Sequence, residues 1–152
     1  MLTSVLHRAV NASQGLRRIM WFFTQPVTFG VHAVPITPAG KLVLFRLSYA
    51  RGWRLPGGGL KRGEAAEAAM LRELREEIGL ISCESLQAVT RFEHRPDFRK
   101  DQSRLFVARG VVYRPRWSLE IKAVREFALG NLPSDTAPIT RRLLKAAGPA
   151  LP

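Results

Sequence analysis

Three glutamates stand at a spacing that suits metal binding. Glu73, Glu76 and Glu77 lie three and four residues apart, so on an α-helix they project from one surface. Carboxylates packed in this way repel one another. Mg²⁺ or Mn²⁺ would reverse that repulsion, because hard cations prefer several oxygen ligands. The alternative is a solvated acidic face that pairs with Arg72 and Arg75, and the spacing alone leaves both interpretations open.

A glycine-rich stretch precedes these glutamates. Residues 56–59 read Pro-Gly-Gly-Gly, a composition that tolerates positive φ and lets bare backbone approach a ligand closely. A loop of this kind before a helix can offer a carbonyl oxygen to a metal or N–H groups to a phosphate. The two features together favour one site for a cation and a phosphate-rich ligand.

The spacing of the loop and the helix follows a known pattern. Gly58 is followed after five residues by Glu64, and seven residues later the chain reads RELREEIGL over 72–80. This resembles the Nudix box, GX5EX7REUXEEXGU, at all nine specified positions, with Leu74 and Leu80 as the aliphatic residues. A chance match at so many fixed spacings is improbable. Looser similarity extends to residues 53–58 and 120–133, whereas the first 25 residues are not covered.

The resemblance implies a fold, an activity and roles for particular residues. The fold would be a Nudix-type α/β/α sandwich with a mixed β-sheet. The activity would be Mg²⁺-dependent (or Mn²⁺-dependent) hydrolysis of a nucleoside diphosphate linked to another moiety. The implied metal ligands are Glu73, Glu76, Glu77, Glu120 and the carbonyl of Gly57 or Gly58. Arg72 would orient a box glutamate, so Glu73, Glu76 and Arg72 are the candidate catalytic residues, and Glu64 would tie the loop to the helix.

The general base and the substrate contacts stay open. Some relatives use a box glutamate as the base, and others use an acid on a later loop, for which the candidates here are Glu93, Asp97, Asp101 and Glu120. Candidate substrate contacts are Arg54, Arg91, Arg95 and Phe98. Pro96 stands sixteen residues after Leu80, a placement that resembles the branch of the family that cleaves ADP-ribose.

The charge distribution is uneven. The chain has 24 Lys+Arg and 12 Asp+Glu, a net charge of +12, yet five of the twelve acids fall between Glu64 and Glu77. A basic chain attracts polyanions such as nucleotides, nucleic acid or an anionic membrane, although an arginine-rich solvated surface is the ordinary alternative. A small nucleotide substrate is therefore favoured, with an RNA 5′ end or non-cleaving nucleotide sensing as alternatives.

Hydrophobic periodicity predicts the remaining elements. Predicted strands cover residues 27–35, 41–47, 53–55, 86–92, 104–112 and 119–127, and predicted helices cover 64–78 and 136–147. The first two strands are joined by a turn at 37–40, which predicts a hairpin. Strands interleaved with helices favour a layered α/β domain, assigned to residues 26–152.

The first 25 residues are predicted to form a helical extension. Residues 2–23 show an amphipathic pattern without acidic residues, which suits packing on the domain or on a second subunit of a homodimer. Peripheral membrane contact by residues 1–24 is the alternative. The single cysteine, Cys83, excludes an internal disulfide, and a cytoplasmic location is expected.

Overall fold

The structure is a computed structural model, and it describes residues 27–95 and 100–152. These residues form eight strands, two α-helices and a final 3₁₀ turn. In chain order they are β1 (Val27–Pro35), β2 (Leu42–Leu47), β3 (Gly57–Gly59), α1 (Ala66–Ile78), β4 (Leu80–Ser82), β5 (Ser85–His94), β6 (Lys100–Arg109), β7 (Val112–Tyr113), β8 (Ile121–Phe127), α2 (Pro138–Ala147) and the turn Gly148–Ala150. The predicted extension at residues 1–25 lies outside the described residues.

The largest sheet is mixed. Its four strands run in the order β3-β1-β6-β5; β1 and β6 are parallel, and the other two pairings are antiparallel. Strand β2 pairs with β8, and β4 pairs with β7, in two smaller antiparallel sheets. Parallel pairing of β1 with β6 requires a long crossover, and that crossover contains the glycine-rich stretch and α1.

The two helices cover opposite sides of these sheets. Side chains alternate along β1 and β2, so Val31 and Phe45 pack with Met70 of α1, while Val34 and Leu44 pack with α2. Helix α1 packs through one apolar stripe, in which Met70, Leu74 and Ile78 are fully buried and Leu71 packs against them. The architecture is the predicted α/β/α sandwich.

The predicted hairpin between the first two strands is wrong. Strand β1 pairs with β3 and β6, and β2 pairs with β8, so only one isolated bridge, Ile36 to Leu42, joins β1 and β2 directly. The turn itself is present, because the Gly40 N–H donates to the Thr37 carbonyl. The chain turns there but passes into a different sheet, and the local sequence carries no signal for that change.

The glycine-rich stretch also differs from its prediction. Residues 57–59 form a short strand on β1 rather than an open loop, and none of these three glycines has a positive φ. Close approach explains them instead: a Cβ on Gly58 would overlap the Glu73 carboxylate, and a Cβ on Gly57 would overlap the His32 ring.

Several boundaries move by a few residues. Helix α1 begins at Ala66 rather than at 64, and it ends as predicted, with Gly79 at φ 74°. Strand β6 begins at Lys100 rather than at 104. Residues 53 and 54 make isolated bridges only, and β4 and β7 were not predicted. Neither α1 nor α2 has the length and apolar character that crossing a bilayer requires.

Candidate active site

Helix α1 presents its three glutamates at three different depths. Glu73 is buried with 9% relative exposure, Glu77 is partly buried, and Glu76 is exposed. They share the helix surface that faces the glycine strand β3, as the spacing predicted. The site therefore runs from the protein interior at Glu73 to solvent at Glu76.

Arg72 ties the loop to the helix. Its Nε and Nη2 donate to the two carboxylate oxygens of Glu64 at 2.8 and 2.9 Å, which is the bidentate geometry that arginine favours with a carboxylate. Nη2 also donates to the Gly59 carbonyl at 3.0 Å. Glu64 in turn accepts from the Lys61 N–H at 2.8 Å. The arrangement lowers the pKa of Glu64 to about 2, chiefly through the hydrogen bonds from Arg72.

The same guanidinium also holds the box glutamates. Nη1 of Arg72 donates to Glu73 Oε1 at 2.5 Å and lies 3.6 Å from Glu76 Oε2. One side chain thus connects the loop acid Glu64 with two carboxylates of the helix. These contacts match the positions expected for Arg72 and Glu64, although the roles themselves stay predictions.

Glu77 also contacts the glycine strand. Its Oε2 accepts from the Gly57 N–H at 2.8 Å. Burial raises the pKa of Glu77 to about 8 against the opposing effect of that hydrogen bond, and the charges of Glu73, Glu76 and Glu120 raise it further. The charges of three other carboxylates therefore act on Glu77, which makes this region locally acidic in a protein whose net charge is strongly positive.

Glu120 is brought to this cluster by the second sheet. It lies next to β8, and its carbonyl accepts from the Ser48 N–H just beyond β2 at 2.7 Å. Its charge raises the pKa of both Glu77 and Tyr49. Glu120 therefore lies close enough to Glu77 to act on its charge, although about forty residues separate them in sequence, and its role as a metal ligand stays a prediction.

The donor set fits a hard divalent cation. Carboxylates and carbonyls are the ligands that Mg²⁺ and Mn²⁺ prefer. The pKa of Glu77 is raised first by burial and then by the charges of Glu73, Glu76 and Glu120, and a cation would compensate those charges. Within residues 27–95 and 100–152, no group of three acidic, histidine or cysteine side chains is arranged so that it could hold a metal ion by itself. Mg²⁺ does not need such a group, since it usually keeps several waters and takes one or two carboxylates together with phosphate oxygens.

A cleft of about 1000 Å³ opens beside the box. One wall is the box loop with basic side chains, and the other is the sheet face formed by the ends of β1, β5 and β6. Its lining includes Arg54, Tyr49, Lys61, Arg62, Glu64, His32, His94, Asp101 and Ser103. The cleft is large enough for a nucleotide, with cationic and acceptor groups on different walls.

The candidate substrate residues are not gathered in one place. Arg54 lines this cleft, whereas Arg91 and Glu93 line a second groove of about 630 Å³ beside the start of α1. Arg95 is exposed at the end of β5. Phe98, Asp97 and Pro96 lie outside the described residues.

Sequence reasoning did not single out His32 or Ser103, which also line the cleft. A strand prediction that began at residue 100 would have placed Ser103 beside Asp101 on this face.

The α/β/α layers and the assembled box define a domain of the Nudix fold. Comparison with known proteins agrees: the sequence matches the NUDIX domain family over residues 26–146. The chain belongs to that family. The predicted family and fold are confirmed.

Individual relatives support the same conclusion. An RNA pyrophosphohydrolase from Acidiphilium cryptum (strain JF-5) is 36% identical over 97 residues, which are 60% of this chain and 58% of that relative; the match thus spans little more than half of the relative. The crystal structure of a MutT NUDIX hydrolase from Burkholderia pseudomallei has a TM-score of 0.69 at 26% identity, covering 79% of this chain and 97% of that one. A MutT protein from Methanosarcina mazei Go1 has a TM-score of 0.69 at 23% identity, covering 83% and 96%, and supports the fold alone.

Proposed function

We propose that this protein hydrolyses the diphosphate bond of a small nucleotide, a nucleoside diphosphate linked to another moiety, with Mg²⁺ or Mn²⁺ as the cofactor. The observation that carries the proposal is the assembled box, in which Arg72 bonds both Glu64 and Glu73 while Glu77 bonds Gly57. A cytoplasmic location stays a prediction.

The proposed division of labour follows from position. Glu73, Glu76, Glu77 and a carbonyl of Gly57 or Gly58 would hold the cation, with Glu120 as a further ligand. When bound, the cation would neutralise charge on the diphosphate oxygens and lower the pKa of the attacking water. Arg72 would keep Glu73 and Glu76 in place, and Arg54, Lys61 and Arg62 would attract the phosphates from the wall of the cleft.

The reaction needs a water oxygen in line with the phosphorus–oxygen bond that breaks. A new oxygen–phosphorus bond forms, the bridging oxygen leaves with the second phosphate, and a base takes the proton from the water. The box glutamates and Glu120 are the candidates near the cluster. Glu93 is a poorer candidate, because it lines the separate groove beside the start of α1.

The direct test is a product screen with purified protein. Nucleoside triphosphates, ADP-ribose, nucleotide sugars, dinucleoside polyphosphates and capped or 5′-triphosphorylated RNA would be incubated with Mg²⁺ or Mn²⁺, and products separated by chromatography. We expect cleavage of at least one small nucleotide at a diphosphate bond, abolished by EDTA. Absence of cleavage across the panel would refute the proposal.

An RNA 5′-end pyrophosphohydrolase is the second candidate. It is favoured by the net charge of +12 and by the relative named RNA pyrophosphohydrolase. The salt dependence of binding separates the two, because a protein that neutralises six phosphates loses on the order of a thousand-fold in affinity between about 50 and 200 mM salt. We expect the shallower dependence of a small nucleotide that contacts a few side chains.

A further inference from the structure

A second polar cluster lines the sheet face of the cleft, away from the box glutamates. It consists of Thr28, His94, Asp101 and Ser103, here termed the Asp101 cluster. Thr28, Asp101 and His94 are direct neighbours across β1, β6 and β5, and Ser103 lies two residues further along β6 on the same face. Three separate strands therefore contribute to one polar surface.

Hydrogen bonds fix the carboxylate of Asp101 in this cluster. Thr28 Oγ1 donates to Oδ1 and Ser103 Oγ donates to Oδ2, both at 2.8 Å, while His94 Nδ1 lies 3.4 Å from Oδ2. The Asp101 side chain is only 14% exposed, so it is held in one orientation yet borders the cleft. Each carboxylate oxygen still has acceptor capacity, since an ionised carboxylate offers about four sites.

The charge and hydrogen-bonding groups of this wall determine which part of a ligand can bind to it. An anionic carboxylate disfavours phosphate oxygens, which are themselves acceptors with negative charge. Both hydroxyls already donate to Asp101, so they offer lone pairs rather than hydrogens to the cleft. The basic residues Lys61 and Arg62 line the same cleft from the box loop, and Arg54 lines it from the segment before the box. The ligand's phosphates therefore suit the box wall, and its hydrogen-bond donors suit the Asp101 cluster.

We propose that the Asp101 cluster binds the donor edge of a nucleobase and makes this site selective for guanine. The inference rests on the proposed nucleotide hydrolase function. Two carboxylate oxygens side by side match two parallel N–H donors. Guanine carries a ring N–H and an amino group next to each other, whereas adenine presents a bare ring nitrogen beside its amino group. Phe92, opposite Ser103 on β5, lies against the His94 ring with centroids 5.7 Å apart, but it lines the neighbouring groove rather than this cleft.

The test measures binding rather than turnover, with full-length protein in EDTA and calorimetric Kd values for GMP, IMP, AMP and dGMP. IMP keeps the ring N–H but lacks the amino group, and dGMP lacks only the 2′-hydroxyl. We expect the order GMP, IMP, AMP from tightest to weakest, with GMP and dGMP alike. Equal affinity for GMP and AMP would overturn the proposal. Tighter binding of GMP than of dGMP would also overturn it, because the cluster would then bind the sugar 2′-hydroxyl rather than the base.

Two variants sharpen the result. Asp101→Asn replaces the carboxylate that would accept from the two guanine N–H donors with an amide. We expect the Kd for GMP to rise about 10- to 100-fold, with little change for AMP. The matched control is Glu84→Gln, an exposed carboxylate roughly 30 Å away at the opposite end of β5. A cluster that only joins strands would weaken all four ligands equally in Asp101→Asn, which would contradict the proposal.

The wild-type series keeps the inference testable even if Asp101→Asn does not fold. Failure of this inference can also be distinguished from failure of the proposed function. Guanine-selective binding by a protein that cleaves nothing in the product screen would refute the hydrolase proposal and leave this inference standing. Cleavage without selectivity among the bases would do the reverse.

Discussion

Replacing Glu77 by glutamine should stabilise the metal-free protein at alkaline pH. The pKa of Glu77 is about 8 in the folded chain against an ordinary value of 4.5, because burial and the neighbouring carboxylates disfavour its charged form. The folded state therefore binds more protons than the unfolded state between these values. Consequently the free energy of unfolding falls as the pH rises from 4.5 through about 8. The difference between the two pKa values corresponds to a loss of about 4 kcal/mol at pH 8.

Glutamine keeps the shape of the side chain and an oxygen for the Gly57 N–H, but it does not ionise. The assay is urea unfolding in EDTA at about pH 5 and about pH 8 for wild type and Glu77→Gln. We expect the two proteins to differ by less than about 1 kcal/mol at the lower pH and by about 4 kcal/mol, in favour of the variant, at the higher pH. Glu67→Gln, an exposed carboxylate on the same helix, is the control and should change stability by a few tenths of a kcal/mol.

Equal pH dependence of wild type and Glu77→Gln would refute this reasoning, since it would show that Glu77 is not held against its charge in the folded chain. Adding Mg²⁺ should stabilise wild type at the higher pH and leave the variant almost unchanged, because the proposed metal site has lost a ligand.

Three further predictions concern other parts of the chain. Gly58→Ala should lower kcat at least tenfold, because its Cβ would overlap the Glu73 carboxylate, whereas Gly130→Ala, with open space around it, should match wild type in the same rate assay. Burial lowers the pKa of His32 to about 4, with Asp101 opposing and His94 adding to the shift. The free energy of unfolding of the wild type should therefore fall by up to about 3 kcal/mol as the pH drops from 6.5 through about 4. His32→Gln should lose that part of the pH dependence in acid unfolding curves. Removal of residues 1–24 should lower the melting temperature if their apolar residues pack on the domain or on a second subunit; an unchanged melting temperature with loss of binding to anionic vesicles would favour the membrane alternative.

Local patterns predicted the elements that carry their own signals. The apolar run at 27–35 forms β1 with the same bounds. Gly79 ends α1 because its backbone is left-handed there, a conformation that glycine adopts readily since it has no Cβ. The contacts of Arg72 with Glu64 and Glu73 agree with what the resemblance to the Nudix box implied for Arg72 and Glu64. These features depend on residues close together in the chain.

Features that depend on distant residues were missed. Strand β2 was predicted to pair with β1, yet its partner is β8, about eighty residues further along the chain. The start of β6 is polar, and it forms a strand there through pairing with β1 on one side and β5 on the other. That error hid the Asp101 cluster, because Thr28, Asp101 and His94 meet only through the register of three strands.

The most direct test of the proposed chemistry is the rate of nucleotide cleavage by wild type and Glu76→Gln over a Mg²⁺ titration, with products identified by chromatography. Glu76 is exposed and distant from the hydrophobic core, so the variant should fold normally, and glutamine is almost as good a helix former as glutamate. We expect wild-type cleavage to require the cation, and the variant to be slower by two or more orders of magnitude at saturating Mg²⁺. Wild-type turnover by Glu76→Gln, or cleavage that persists in EDTA, would contradict a metal-dependent hydrolase built on the box glutamates.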